Sequence, residues 1–483
     1  MSAPLDAARG GERGAGVSGP LEAARVALSG EPAWVVGGAV RDRLLGRSTD
    51  DVDIAVDGDP RRAARRIAKA AGGSAFPLSH EFGGWRAVGP EHSWHVDVLP
   101  LRGGDLAADL AARDFSVNAM AEPLAGGETV DPHGGREDLA ARRLRMVGAQ
   151  SLREDPLRTL RAVRFAVELG FEIEPATGAA VRADAPAIAG VSPERVFAEL
   201  KRVVAAPRVR DGLELMASSG LLAAVLPELE AMRGVEQSVY HHADVLGHTL
   251  EVLDAVVAME ADPASAGLGG ELAAPVAALL TEPLANELTR GTGLRFAALL
   301  HDAAKPQTRA ERPDGRVTFV GHDSEGAELA RGVMRRLRAS ERLATYVASL
   351  TRHHLELGFL VHERPLSRRA VWRYLAATAP HSADVTLLTV ADRLATRGRK
   401  AEPAIAAHLE LAREVLGHAF ALRDAGPLPP LIPGDELAAE LGIRPGPELG
   451  ELLRALDEDR YAGEIATREE AVARARERLR SDG

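Results

Sequence analysis

The apolar residues of this chain change their period once, and the change divides it. Between residues 31 and 150, short apolar runs alternate with amphipathic stretches. WVVGG, VDIAV, WRAVG and HVDVL have the length and residue types of strands, while AVRDRLLG and the segment Arg61 to Ala71 have helical spacing. From about Asp155 onward strand-like runs almost vanish. DPLRTLRAVRFAVEL is an amphipathic helix, and PERVFAELKRVV is another, with Ser192 as N-cap and Pro193 at its first position. Helical patterning continues to about residue 400. LIPGDELAAELGIRPGPELGELLRAL, at 431–456, breaks at its Pro-Gly steps and reads as a small helical tail. Residues 1 to about 30 are rich in Gly, Ala and Ser and are expected to be flexible, apart from a short helix at LEAARVALS. The Gly- and Ala-rich stretch 261–285 reads as a surface insertion. The pattern predicts an α+β chain, with a sheet near its start and helices thereafter.

The chemistry concentrates where a strand meets a turn, in VVGGAVRDRLLGRSTDDVDIAV. Side chains alternate along a strand, so Asp51 and Asp53 share one face, and two carboxylates a few Å apart can grip hard cations. Gly37 and Gly38 lie between a strand and a helix, where backbone N–H groups can approach a phosphate; a tight structural turn is the competing reading. Asp97, in HVDVLPLR, adds a third carboxylate on another strand. Three such groups suit a two-metal phosphoryl or nucleotidyl transfer in which the third orients or deprotonates an attacking hydroxyl. Arg113, in ARDFSVNAMA, sets positive charge beside the acidic face, and Asp114 and Asn118 are placed to fix that loop through hydrogen bonds. Asp155, Arg158, Arg161 and Arg164 recur every three residues. Their ridge offers a donor–acceptor edge to a base, against the alternative of a surface salt-bridge face.

Composition narrows the possibilities. The chain has 483 residues, enough for two to four domains, and no cysteine, which excludes disulfides, zinc–thiolate sites and thiol catalysis. Aromatic residues make up only 4%. The net charge of −11 argues against a non-specific polyanion binder, yet a local patch decides such contacts. Arg195, Lys201, Arg202, Arg208 and Arg210 form one candidate strip for RNA phosphates; a solvated helix face is the alternative. No basic-then-apolar leader and no uninterrupted apolar span of membrane length are visible, so the expected place is the cytoplasm and no membrane partner is expected.

GGAVRDRLLG, DDVDIAV, ARDFSVNAMA, DPHGG, EDPLRTLRAVRFAVELGF and SPERVFAELKRVV, in that order over about residues 34–204, resemble the class II tRNA nucleotidyltransferases and bacterial poly(A) polymerases of the polymerase-β-like superfamily. The resemblance implies a mixed-sheet nucleotidyltransferase head followed by an elongated helical neck. It implies magnesium on Asp51 and Asp53, an incoming nucleotide held by Gly38, Arg41 and Arg113, and an amino-acid template of Asp155 and Arg158 supported by Arg161 and Arg164. The implied reaction adds CMP from CTP, and AMP from ATP, to the tRNA 3′ end without a nucleic-acid template, building CC or CCA. Two departures bear on the product. Ala112 stands where many members have a first Arg. Only PLRGGDLAADLA lies between Leu99 and Ala112, where members that add the terminal A usually carry a long flexible loop, so the chain resembles CC-adding specialists.

In the helical half, HHADVLGHTLEVLD, LRFAALLHDAAKP, GHDSEGAEL, TRHH and TVADRLATR place histidines and aspartates on separate segments. Imidazole with carboxylate suits a divalent metal that activates water. These motifs resemble the HD phosphohydrolases. By that likeness His248, His301, Asp302 and Asp392 ligate a second divalent metal, with His322 and His353 as candidates to extend the site. The expected domains are residues 1–30 (flexible), 31–150 (head), 151–225 (neck), 226–405 (HD domain) and 406–483 (tail). Two further readings remain: a poly(A) polymerase, and an HD phosphohydrolase with an RNA-binding head.

Overall fold

The computed structural model describes residues 19–47, 51–78, 83–237, 242–397, 401–426 and 429–481, which fall into two compact units, 1–190 and 191–483. The expectation of flexibility for residues 1–18 lies outside the described residues.

The first unit is built on a six-stranded mixed sheet. Its strands are β1 (Ala33–Val36), β2 (Asp51–Val56), β3 (Ser74–Pro77), β4 (Trp85–Val88), β5 (His95–Pro100) and β6 (Ala121–Pro123), in the order β3-β4-β5-β2-β1-β6. The four strands read from the sequence are present, and β3 and β6 are additional. HVDVL is therefore the fifth strand in chain order. Within this sheet only β2 and β5 run parallel; the other pairs are antiparallel. Alternation gives the sheet two unlike faces. One carries Val52, Ile54, Val96 and Val98, all fully buried. The helix Pro60–Ala71 packs against the sheet and buries Ala63, Ala64, Ile67 and Ala68. Asp59 caps its start by accepting from Arg61 N, Pro60 occupies the first turn, and left-handed Gly72 ends it.

The stretch 19–30 holds the helix that the sequence reading set apart from the flexible terminus. Pro20–Ala27 is the short helix read at LEAARVALS, and its Ala23, Ala24 and Ala27 are buried in contact with Pro60–Ala71. The other sheet face turns apolar only at one end, where Val36, Ala55, Leu110 and Ala121 cluster. The rest of that face bears the carboxylates.

The second unit is helical apart from two-stranded ribbons. Pro193–Ala205 follows Ser192 and Pro193 as expected, burying Val196, Phe197, Leu200, Val203 and Val204. Arg290–Leu300 is buried along its whole length, with Val245–Ala261, Glu341–His353 and Ser382–Ala395 packed around it. The supposed insertion at 261–285 is part of this packing. Gly270–Thr281 is a helix that buries Val276, Leu279 and Leu280, a helical stripe that the surrounding Gly and Ala conceal in the sequence. The tail forms helices Gly434–Leu441, Pro447–Ala462 and Arg468–Ser481, which share a small core of Leu437, Leu452, Leu456, Ile465 and Ala471. Among the described residues no helix is long and apolar enough to cross a membrane.

Candidate functional site

Sheet register assembles the first site. Asp53 lies directly opposite Asp97 across the parallel β2–β5 pair, and Asp51 lies opposite His95. Residues in register share a face, so all four side chains project from the open side of the sheet. Potential ligand atoms of Asp51, His95 and Asp97 lie within 4.8 Å of one another, and His95 Nε2 is 3.0 Å from an Asp51 oxygen. Burial raises the Asp53 carboxyl to about 6, reinforced by the nearby charges of Asp51 and Asp97 and only partly offset by Arg113 and Arg161. Oxygen donors crowded until they repel one another fit a divalent cation, which would relieve that repulsion.

Two basic residues reshape this picture. Arg86 is in register with Asp97 on β4 and donates to both its oxygens, Nε at 2.6 Å and Nη2 at 2.7 Å. The third carboxylate is thus clamped in a two-pronged ion pair. Arg86 and His95 were not singled out in the sequence; only strand pairing reveals them. Arg113 is held by Asp109, with Nε at 3.1 Å and Nη2 at 2.8 Å from the same oxygen. Its remaining Nη1 points at Gly37. The backbone there has φ of 71°, which favours glycine, and a Cβ on Gly37 would lie 2.7 Å from that nitrogen and push the guanidinium end aside.

Gly38 begins the helix Gly38–Leu44, whose Arg41 is buried. Arg41 donates to Asn118 Oδ1 at 2.6 Å and to both Asp42 oxygens, tying the glycine turn to the 112–121 loop. Asp114 and Asn118 fix that loop as expected. Asp114 accepts from Phe115 N, Asn118 Nδ2 and Arg161. Burial opposes the Asp114 charge, but Arg161 and these hydrogen bonds outweigh it and hold the carboxyl at about 2.

The arginine ridge on Leu157–Leu169 turns inward more than the sequence implies. Arg158 donates to the carbonyl of Ala112 at 2.7 Å and to Ser151 O and Oγ at 3.0 and 2.9 Å. Arg161 grips Asp114, and Arg164 is buried with its guanidinium 4.0 Å from the Phe165 ring centroid. Asp155 accepts from Leu157 N at the start of the helix. Arg158 and Arg161 therefore brace the loop that carries Arg113. A simple salt-bridge face is not what they form.

The strip on the second unit is mixed. Arg195 and Arg202 are exposed and seven residues apart on Pro193–Ala205. Lys201 is bound to Glu287 at 2.7 Å, Arg208 to Asp211 at 2.6 Å, and Arg210 to Glu214 and Asp254. Acidic partners thus neutralise Lys201, Arg208 and Arg210.

A second centre lies inside the helical unit. His248 Nε2 is 2.9 Å from Asp392 Oδ1 and 3.7 Å from Asp302 Oδ2. His301 Nε2 faces Asp302 at 3.2 Å, and His322 and His354 approach the other Asp302 oxygen at 3.4 and 3.9 Å. Three imidazoles are oriented alike: Nδ1 of His301, His322 and His354 meets the carbonyl three residues earlier, at 2.8, 2.7 and 2.6 Å. That bond fixes the tautomer and turns Nε2 inward, as in metal-ligating histidines. Two groups of potential ligands, His248–His301–Asp302 and Asp302–His322–His354, share Asp302.

Among the described residues His301 Nε2 is buried and makes no hydrogen bond, so the donor set fits a metal. Burial drives His354 down to about 4, leaving it neutral and able to ligate. His353 does not join the cluster; its Nδ1 meets Glu356 at 2.5 Å. The sequence held a signal for the right neighbour, because His354 continues the buried stripe Leu343, Val347, Leu350 at helical spacing. Lys305 was also missed; its ammonium lies 2.6 Å from Asp302 and 2.7 Å from Gln237 Oε1.

Comparison with known proteins agrees with this division. The profile "Poly A polymerase head domain" matches residues 33–102 and 85–145, "Probable RNA and SrmB- binding site of polymerase A" matches 170–233, and "HD domain" matches 277–397. The chain is 39% identical to the A-adding tRNA nucleotidyltransferase of Deinococcus radiodurans, covering 91% of this chain and 94% of that one. It is 37% identical to the CC-adding tRNA nucleotidyltransferase of Thermus thermophilus, over 91% and 92%. Its fold matches the Bacillus stearothermophilus CCA-adding enzyme solved with CTP, with a TM-score of 0.63, 23% identity and coverage of 96% and 99%.

Proposed function

The chain belongs to the tRNA nucleotidyltransferase and poly(A) polymerase family, and from that premise we propose that it transfers CMP from CTP to the 3′ end of tRNA, building CC without a nucleic-acid template. The observation that carries this reading is the β2–β5 register, which sets Asp51 and Asp53 beside Asp97 and a glycine turn facing Arg113. Asp51 and Asp53 are the metal ligands in this reading, and the ion is magnesium, one of the hard cations that carboxylate oxygens bind. When bound, magnesium supplies charge neutralisation and Lewis-acid activation at the reacting phosphoryl group.

The chain's own residues do the positioning. The turn at Gly37 and Gly38 lets the triphosphate approach the backbone, and Arg113 offers its Nη1 there. Arg86 holds both oxygens of Asp97 in a two-pronged pair and so aims it, and Asp97 orients the attacking hydroxyl. Arg41 keeps the turn in place. Asp155 and Arg158 read the base, while Arg161 and Arg164 support them. Arg195 and Arg202 are the strip residues best placed to meet tRNA phosphates. The tRNA and nucleotide pools place the reaction in the cytoplasm.

The short ordered connection supports CC over CCA. Residues 101–112 form a 3₁₀ turn at Arg102–Gly104 and a helix at Leu106–Ala111 that is capped by Asp105. Leu110 packs into the sheet and Asp109 holds Arg113, so this segment is a fixed brace. The stretch 83–95 contributes β4, which is paired on both sides and so is held in the sheet as well. Addition of AMP, giving CCA, is the alternative product. Replacing Asp53 by Ala tests the reading: nucleotide addition must collapse with the fold intact, and near-normal addition would refute the assignment.

The helical centre carries a second activity in this reading. His248, His301, Asp302 and Asp392 bind a divalent metal, with His322 and His354 completing the set, and the site hydrolyses phosphate esters. The observation favouring this is the common inward orientation of the Nε2 atoms. Metal analysis of the full chain, compared with the Asp302→Asn variant, tests it.

A further inference from the structure

Neither centre accounts for a cavity of about 710 Å³ elsewhere in the second unit. Its walls come from the helices Arg368–Thr378, Ala401–Ala425 and Pro447–Ala462. The volume suits a small organic ligand of nucleotide size. The whole chain has four Trp and four Tyr, and one of each stands in this wall, stacked on the other. Trp372 and Tyr461 have ring centroids 5.1 Å apart and planes 30° apart. Tyr461 is pinned by its hydroxyl, 2.9 Å from His418 Nδ1, so the platform is rigid before any ligand arrives.

The charge around this platform is specific. The Arg368 guanidinium lies 5.4 Å from the Tyr461 ring centroid, and Arg460 lines the same cavity with its Nη1 donating to the Pro429 carbonyl. Arg423 is also in the wall, but Glu282 neutralises it. Asp457 contributes one carboxylate, an acceptor for an amino group. Leu422, Ala421 and Ala425 make the remaining wall apolar. An aromatic surface, two guanidinium groups and one acceptor match a single ligand chemistry: a planar base bearing an anionic phosphate. A purely apolar ligand would leave the exposed Arg368 guanidinium without an anion, and a bare anion would leave the aromatic pair unused.

We infer that this cavity is a second nucleotide site, which holds the base and phosphate of one nucleotide through Trp372, Tyr461, Arg368 and Arg460. The nucleotide arrives either free or as one residue of an RNA strand, since both present the same chemistry.

Equilibrium dialysis of the full chain with labelled ATP and labelled CTP, without metal, tests this inference. Arg368 is exposed, so Arg368→Glu reverses a charge without opening a core, and Tyr461→Leu removes the platform. The wild type is expected to take up one more equivalent than either variant, with affinity for that equivalent at least tenfold weaker in Arg368→Glu. Both variants are expected to keep normal nucleotide addition. A short single-stranded oligonucleotide that displaces the extra equivalent identifies RNA as the source; failure to displace identifies free nucleotide. Equal uptake by wild type and Arg368→Glu, confirmed folded by its melting curve, would overturn the inference. This outcome differs from failure of the transferase reading, which would appear as lost addition in the wild type.

Discussion

The two acidic centres of this molecule solve opposite problems. The sheet centre is made of carboxylates on an open face, where burial and mutual repulsion push Asp53 up to about 6. It is charge-rich and unfinished without a cation. The helical centre is enclosed and mostly imidazole, with Lys305 already 2.6 Å from Asp302. Burial opposes the Asp302 charge, but His301 and Lys305 hold that carboxyl well below its usual range. A face dominated by carboxylate oxygens, with His95 its nitrogen donor, suits a hard ion brought with a triphosphate; an enclosed nitrogen-rich cluster suits a resident transition metal. Donor type and enclosure separate the two chemistries more clearly than the count of acidic residues does.

The largest expected effect breaks one centre while sparing the other. Asp53→Asn is expected to lower nucleotide addition by at least about 10²-fold, since it removes transition-state charge stabilisation, and to leave metal in the helical centre unchanged. It is also expected to stabilise the metal-free fold. The folded carboxyl is raised above its unfolded value, so its ionisation penalty sets in above pH 3.8 and is complete above about 6. The gain at pH 7 has an upper limit of about 3 kcal/mol. Thermal melts should show magnesium raising the wild-type Tm and not the variant's. A variant that melts lower without metal would contradict the crowding argument.

The converse substitution is Asp302→Asn, which removes the ligand shared by both histidine groups. Bound transition metal, measured by elemental analysis, should fall to background while addition of CMP continues. Loss of addition would show that the two centres are not separable.

Asp114 sharpens the contrast within the first unit, because there a buried carboxylate is well paired. Its folded value of about 2 lies below the unfolded one, so its contribution is present above pH 3.8 and is lost as pH falls towards 2. Asp114→Asn should cost about 2 kcal/mol at neutral pH and flatten the acid limb of the stability curve. An unchanged denaturant midpoint at pH 7 would remove Asp114 from the framework.

Much of this was legible in the sequence. The Asp-Val-Asp spacing fixes a shared face wherever it forms a strand, and the helix carrying Arg158, Arg161 and Arg164 is where the pattern puts it. What escaped depends on pairing between distant segments. Arg86 and His95 acquire meaning only through the β4–β5 and β2–β5 registers, which no local pattern states. His354 displaced His353 because one residue is about 100° of helix, and only the buried stripe decides which of two adjacent histidines faces inward. The inward ties of Arg158 to Ala112 and Ser151 were hidden for the same reason.

Smaller effects refine the reading of base and RNA. Arg158→Ala should relax the choice of CTP over UTP by about tenfold, within the roughly 1–3 kcal/mol of a bidentate base contact. A loss of rate with selectivity intact would make Arg158 solely the brace that its hydrogen bonds describe. Smallest is the strip. Arg195→Ala or Arg202→Ala should each lower the logarithmic salt slope of tRNA binding by about 0.9 or somewhat less, whereas Lys201→Ala, already paired with Glu287, should change it little. Equal effects at all three positions would dissolve the distinction between the exposed arginines and the half-buried Lys201.

The central claim is that the open carboxylate face extends the tRNA 3′ end and stops after two residues. The direct measurement offers tRNA lacking CCA to the full chain with magnesium, CTP and ATP, and sequences the 3′ ends. The account predicts products ending in CC, with no A added even to a CC-ended tRNA. Efficient CCA formation would contradict the argument from the short braced connection. Long A tracts, or no extension at all, would contradict the proposed function itself.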